Sequence, residues 1–240
     1  MSAIEEVVRI ERRFRGPPDS ANGGYACGVI ARHIHGDARV RLQSPPPLDR
    51  QLRIAGDETA LRMFDAELLI AEAAAASEMR EDVPAPVGYD VASEASRRFP
   101  WFTGHPFATC FVCGPERHPG DGLCIFPGVV DERQIVAAPW IPDPLVCDHS
   151  NVVHPEVVWA ALDCPSWFGL LAFESDVRWA LLGQLTARVK RLPHAGEKCV
   201  VTGWSHAREG RKLFGGAAVF TDDGELLGHS NAVWIELKNQ

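Results

Sequence analysis

The chain has 240 residues, 46% hydrophobic and 23% charged, which fits one large soluble domain or two small ones. A net charge of −8 with no basic tail excludes nucleic acid as the default partner. The start, Met1-Ser2-Ala3-Ile4-Glu5-Glu6, lacks a signal peptide's basic and apolar regions, and no apolar run suggests a membrane span. Seven scattered cysteines, an odd number, then read as reduced thiols of a cytoplasmic protein.

Glu5–Phe14 reads as a first strand, closed by Gly16-Pro17-Pro18. A helix follows over Asn22–Ala31, with Asp19 or Ser20 as its cap. Gly23, Gly24 and Gly28 lower that helix's intrinsic stability by roughly 1 kcal/mol each relative to alanine. Their presence predicts close approach of something to the helix backbone. Ala38–Leu42, Leu48–Ala55, Leu61–Phe64 and Leu68–Ala76 then read as an antiparallel meander punctuated by Gly, Asp and Pro. Proline-rich Ser77–Ala108 carries a short helix at Val91–Arg98 and reads as a surface linker. Cys110–Val130 and Arg133–Pro139 read as strands.

A second helix begins at Pro155 and carries small or apolar side chains at almost every position from Glu156 to Leu162, the mark of a buried helix. Pro165 predicts a kink or stop there and leaves one carboxylate, Asp163, at the break. A buried acid at a helix break is either hydrogen-bonded by the broken backbone or used in chemistry. The remainder repeats the first meander in order. Thr186-Ala187-Arg188-Val189-Lys190 answers Asp37-Ala38-Arg39-Val40-Arg41, and Lys198–Thr202 answers Gln51–Ile54. Leu213–Phe220 answers Ala60–Phe64, and Asp223-Gly224-Glu225-Leu226-Leu227 answers Asp65-Ala66-Glu67-Leu68-Leu69. The division expected is a first unit over residues 1–80, a linker over 81–108 and a second unit over 109–240.

A helix followed by a wrapping antiparallel sheet, occurring twice, resembles a double hotdog, an α+β fold. Phe111-Val112-Cys113-Gly114-Pro115 with Gly122-Leu123 and Phe126 resembles the entry strand of phenylacetyl-CoA-type thioesterases. Asn22-Gly23-Gly24-Tyr25 resembles the helix start of type II acyl-CoA thioesterases, and Ala161-Leu162-Asp163 with Trp167-Phe168 resembles the helix bearing their catalytic aspartate. The resemblance implies hydrolysis of an acyl-CoA or acyl-carrier thioester without a cofactor or metal, in a protein that pairs with itself or stands as a pseudo-dimer.

It also implies a single composite site. The second half keeps Asp163 but has Pro155 and Glu156 where the family opens its helix with glycines; the first keeps Gly23 and Gly24 but has Ala31 at the acid position. One site would join Gly23 and Gly24, as oxyanion donors, to Asp163, as base or nucleophile. Asn22 stands beside it. The family's threonine or serine and its glutamine have candidates in Gln184, Thr186, Ser230 and Asn231, although one register puts Ala232 at the glutamine position. The basic turn at Arg208, Arg211 and Lys212 is either a solvated hairpin or a clamp for coenzyme A phosphates.

Other patterns compete. Asp148, Asn151 and His154 resemble the signature of hotdog hydratases with one residue too many, and a non-catalytic acyl-binding double hotdog would not need Asp163. Cys110-x-x-Cys113 with His118 and Cys124 suggests zinc, but strong zinc patterns pair two such clusters, and a buried strand with cysteines as small hydrophobes is the plainer reading. Gly203-Trp204-Ser205-His206-Ala207 lacks the final glycine of a nucleophile elbow and reads as strand.

Overall fold

The computed structural model describes residues 3–237. Its first strands are β1 (Ala3–Arg9), β2 (Ala38–Leu42), β3 (Gln51–Asp57), β4 (Ala60–Asp65) and β5 (Leu68–Ala75). The later ones are β6 (Gly128–Val129), β7 (Val136–Trp140), β8 (Ala180–Val189), β9 (Cys199–Glu209), β10 (Lys212–Thr221) and β11 (Leu226–Glu236). They form one antiparallel 11-stranded sheet in the order β1-β3-β4-β5-β2-β8-β11-β10-β9-β7-β6. Inward residues alternate with outward ones, as Ala38 and Val40 do on β2 and Leu52 and Ile54 on β3, so one face of each strand meets the core.

Four helices accompany the sheet: α1 (Gly23–Ala31), α2 (Tyr89–Arg97), α3 (Pro155–Ala161) and α4 (Cys164–Phe173). The order β1-β3-β4-β5-β2 around α1 recurs as β7-β9-β10-β11-β8 around α3 and α4. The protein is a double hotdog. The repeated segments occupy equivalent strands, and their centre is visible in the register: Ala38 on β2 lies opposite Ala187 on β8, the residue that answers it in the second copy. That β2–β8 ladder joins the two sheets edge to edge.

Several expectations fail locally. The first strand stops at Arg9, and Arg12–Phe14 is a turn of 3-10 helix. Neither Asp19 nor Ser20 caps α1; Asn22 does, its side-chain oxygen accepting the Tyr25 N–H at 2.9 Å. Of the strand expected over Cys110–Val130, only Gly128–Val129 joins the sheet. The rest bonds to itself in turns, such as Gly114 N–H to Cys110 C=O and Gly122 N–H to His118 C=O, because glycines, prolines and the left-handed Cys124 (φ 52°) prevent a ladder. The linker is more than a surface wrap: Ala92 and Ala95 of α2 pack with Val200, Trp204 and Phe220 in a second apolar cluster. Finally, the 19-residue stretch Pro155–Phe173 is long and apolar enough for a membrane span, against expectation, but 78% of its apolar window is buried inside this fold.

Candidate active site

Helices α1 and α3 run antiparallel in direct backbone contact. A Cβ on Gly28 would lie 2.4 Å from Glu156 Cα, and one on Gly24 would lie 2.5 Å from both Asp163 Cβ and the Trp159 carbonyl oxygen. Of the three glycines expected to admit a close neighbour, Gly24 and Gly28 admit this helix, while Gly23 lies against the Leu182 side chain of β8. The approach delivers the break after α3 to the start of α1.

The break itself is held by the sheet and by α4. The last α-helical bond of α3 runs from Leu162 N–H to Val158 C=O; Asp163 N–H (φ −82°, ψ −78°) bonds back only to Ala160 C=O, and the residue precedes α4, which carries Pro165 in its first turn. Carbonyls freed by the break are satisfied by hydroxyls: Ser230 Oγ donates to Leu162 C=O at 3.1 Å, and Ser166 Oγ donates to Asp163 C=O at 2.7 Å. Trp234 Nε1–H in turn donates to Ser166 Oγ at 2.9 Å.

Asp163 is 2% exposed. Its Oδ2 accepts the Gly24 N–H at 2.8 Å and the Asn22 side-chain amide at 2.9 Å, at the positive end of α1. Its Oδ1 is buried with no hydrogen-bond partner among the described residues. Burial pushes the carboxyl up to about 7, against the opposing pull of the Gly24 N–H and, more weakly, the Asn22 amide.

Asn22, Gly23, Asp163 and Cys164 line a cavity of about 250 Å³. Its remaining wall is largely apolar and aromatic, with Phe107, Trp167, Phe168 and Trp179 prominent. Gly23 stands at the first position of α1, where a helix N–H has no intrahelical acceptor. Gly24 N–H, by contrast, is occupied by the carboxylate, so it positions Asp163 instead of standing free as a second donor.

Of the residues singled out in the sequence, Asn22, Gly23, Gly24 and Asp163 come together. Gln184, Thr186 and Asn231 do not join them. The cavity takes Ala180–Gly183 from β8 and Trp234–Ile235 from β11 and stops there. Gln184 accepts from Arg41 at 3.4 Å, and Asn231 accepts the Arg80 N–H at 2.8 Å. Thr186 is buried in β8, opposite Asn231. The basic turn is engaged within the fold: Arg208 pairs with the Glu236 carboxylate at 3.0 Å, Arg211 bonds the Glu236 carbonyl, and Lys212 is exposed.

The hydratase-like pair lies elsewhere. Asp148 is exposed and accepts the Ser150 and Val152 N–H groups in a turn, while His154 is the exposed cap position of α3. Ser205 lies within β9, not at a nucleophile elbow. The cysteine pattern is regrouped too. Cys110 and Cys113 line the cavity together with Cys164 and His105, while Cys124 turns to the Arg117 and Gly122 carbonyls. Sequence reasoning missed Ser166, Trp234, His105 and Cys164; only the position of Cys164 beside Asp163 hinted at any of them.

No family model matches the chain, and no curated protein matches it in sequence. Solved structures do match in fold. The tesB protein of Mycobacterium avium subs paratuberculosis superposes with a TM-score of 0.64 at 12% identity, over 98% of this chain and 93% of that one. An acyl-CoA thioesterase II from Mycobacterium marinum gives 0.61 at 11% identity, over 98% and 94%. A conserved protein of unknown function with a hot dog fold from Alicyclobacillus acidocaldarius gives 0.58 at 11% identity, over 98% and 94%. At such identities the likeness is one of fold: the chain has the double-hotdog architecture seen in thioesterases of the TesB type.

Proposed function

We propose that the protein is a thioesterase that hydrolyses the thioester of an apolar acyl or aryl group carried on coenzyme A or a carrier protein. One observation carries the reading: a buried carboxylate with a free acceptor oxygen, held against a glycine-opened helix start at the edge of an apolar cavity. Gly24 N–H and the Asn22 amide fix Oδ2, which leaves Oδ1 as the base. Asp163 takes a proton from water as the water oxygen bonds to the thioester carbonyl carbon. The carbonyl oxygen gains negative charge, which Gly23 N–H and the dipole of α1 stabilise. The C–S bond then breaks, and the departing thiolate recovers the proton from Asp163. A protein named acyl-CoA thioesterase II and a tesB protein have this fold, which supports the reaction class.

The test is a panel of acyl-CoA and acyl-pantetheine thioesters, from acetyl to long-chain and aryl, followed with a thiol-detecting dye and with Asp163→Asn as the blank. Thiol release by the wild type and none above background by the variant is the expected result. Ligand binding without turnover across the panel, or full activity in the variant, overturns the proposal.

A further inference from the structure

We propose that Cys110, Cys113 and Cys164 form a binding site for a thiophilic metal ion of the zinc class, with its fourth position open to the cavity. The three sulfurs are buried and all lie within 4.8 Å of one another. Cys110 Sγ and Cys164 Sγ are 3.8 Å apart. A tetrahedral ion with Zn–S bonds of about 2.3 Å requires sulfurs roughly 3.8 Å apart, so this edge is already in place.

The chain is built to hold that triangle. Cys110 and Cys113 flank a tight turn in which Gly114 N–H returns to the Cys110 carbonyl at 3.0 Å. A Cβ on Gly114 would lie 2.5 Å from Cys110 N, so a side chain there would open the turn. Cys164 arrives from 51 residues beyond Cys113, at the first position of α4, fixed by the same helix break that presents Asp163. Cysteine is a tolerable small hydrophobe anywhere in a core. Three converging sulfurs from two separate elements, on the wall of a cavity, form a donor set suited to a soft ion.

His105 stands next to the triangle, Nε2 3.5 Å from Cys113 Sγ. It is a neighbour and not the fourth ligand. The Phe107 N–H donates to His105 Nδ1 at 3.0 Å, which leaves the ring proton on Nε2, facing the sulfur. The ring therefore donates toward Cys113 and orients it, as outer hydrogen-bond partners of metal ligands do. The fourth position falls to water or to a donor atom of whatever enters the cavity, the layout of sites that keep three protein ligands.

The experiment uses the full chain, reduced and stripped with a chelator, then titrated with cobalt(II) as a spectroscopic stand-in for zinc. One equivalent should give sulfur-to-cobalt charge-transfer absorption and the visible bands of a tetrahedral ion, both abolished by excess zinc. Uptake should release protons as the thiols ionise. Cys113→Ser and Cys164→Ser should lose the charge-transfer band, Cys27→Ser and Cys124→Ser should keep it, and His105→Phe should weaken affinity about 10–100-fold. Should the serine variants not fold, alkylation mapped along the wild-type chain decides: zinc must protect Cys110, Cys113 and Cys164 and no other thiol. Absence of the band, its survival in Cys113→Ser and Cys164→Ser, or protection elsewhere overturns the site. Metal uptake is read without substrate, so its failure and a failure of thioester hydrolysis are separate results.

Discussion

The two ends of the α1–α3 contact are built from equivalent positions and have opposite chemistry. At one end Asn22, Gly23 and Gly24 open a helix onto Asp163. At the other, His154, Pro155 and Glu156 open a helix toward Ala31, with proline in the first turn, no side-chain cap bond and a methyl where the carboxylate would be. A duplicated chain needs its helices to pack at both ends but requires the acid and its N–H donor at only one. The difference shows which features serve packing and which serve the site. The apolar helix faces recur at both ends; the glycine-to-carboxylate bond occurs once.

Replacing the one carboxylate should produce the largest effect. In Asp163→Asn, kcat should fall by roughly 10²–10⁴-fold, the usual worth of a positioned general base. The same variant should be more stable than the wild type at pH 8. The carboxyl titrates near 7 in the fold and near 3.8 when unfolded, so the unfolded chain releases its proton first as pH rises. Wild-type stability is therefore expected to decline from about pH 4 to about pH 7 and stay lower above it, by at most roughly 4 kcal/mol. Asparagine removes that charge and keeps an oxygen for the Gly24 N–H. Denaturant melts of both proteins at pH 5 and pH 8, after chelator treatment, check this. A wild type as stable as the variant at pH 8 would contradict a desolvated Asp163.

A carboxylate placed at the silent end should cost stability and gain no activity. Ala31 is 4% exposed, and the equivalent helix start has exposed His154 in place of Asn22 and the carboxylate-bearing Glu156 in place of Gly24. Ala31→Asp therefore buries a charge without the side-chain amide that Asn22 gives Asp163 and beside a second carboxylate, and should destabilise by on the order of 3 kcal/mol or more. A variant as stable as the wild type, or with a second active site, would show the two ends to be interchangeable. Between the ends, Gly28→Ala tests the contact itself. Its new methyl would meet Glu156 Cα, a backbone atom that moves only with α3, so a loss of about 1–3 kcal/mol is expected in a denaturant melt.

Much of this was legible because the signals are local or compositional. A nearly all-apolar helix with an acid at its proline break, and a helix with three glycines, mark themselves regardless of register. The repeated strands were legible because turn residues and apolar runs recur in order. Thr186 and Gln184 were not, because a strand's facing depends on register, and a one-residue slip sends each side chain to the other face. The bulge where Val233 pairs with Gln184 and Trp234 with Leu182 introduces such a slip beside the cavity. The thiol cluster was illegible for another reason. Cys110 and Cys164 meet across 54 residues through a turn segment with no periodicity, so the nearby but irrelevant His118 and Cys124 stood out instead.

The smallest effect should come from Glu156, the residue aligned with Gly24 at the silent end. It is half-buried, and Tyr25, whose hydroxyl is raised first by burial, is raised next by this carboxylate. Glu156→Gln keeps the shape and removes the charge, far from any carboxylate that accepts a helix N–H. Its kcat and KM should stay within about twofold of wild type, and its stability within about 0.5 kcal/mol, as for substitutions that touch neither site nor core. The comparison with Asp163→Asn is then direct, because each substitution exchanges one carboxylate for an amide on the same helix pair. A loss of kcat in Glu156→Gln approaching that in Asp163→Asn would mean that both ends contribute to turnover, and the single-site reading of the duplicated fold would have to be abandoned.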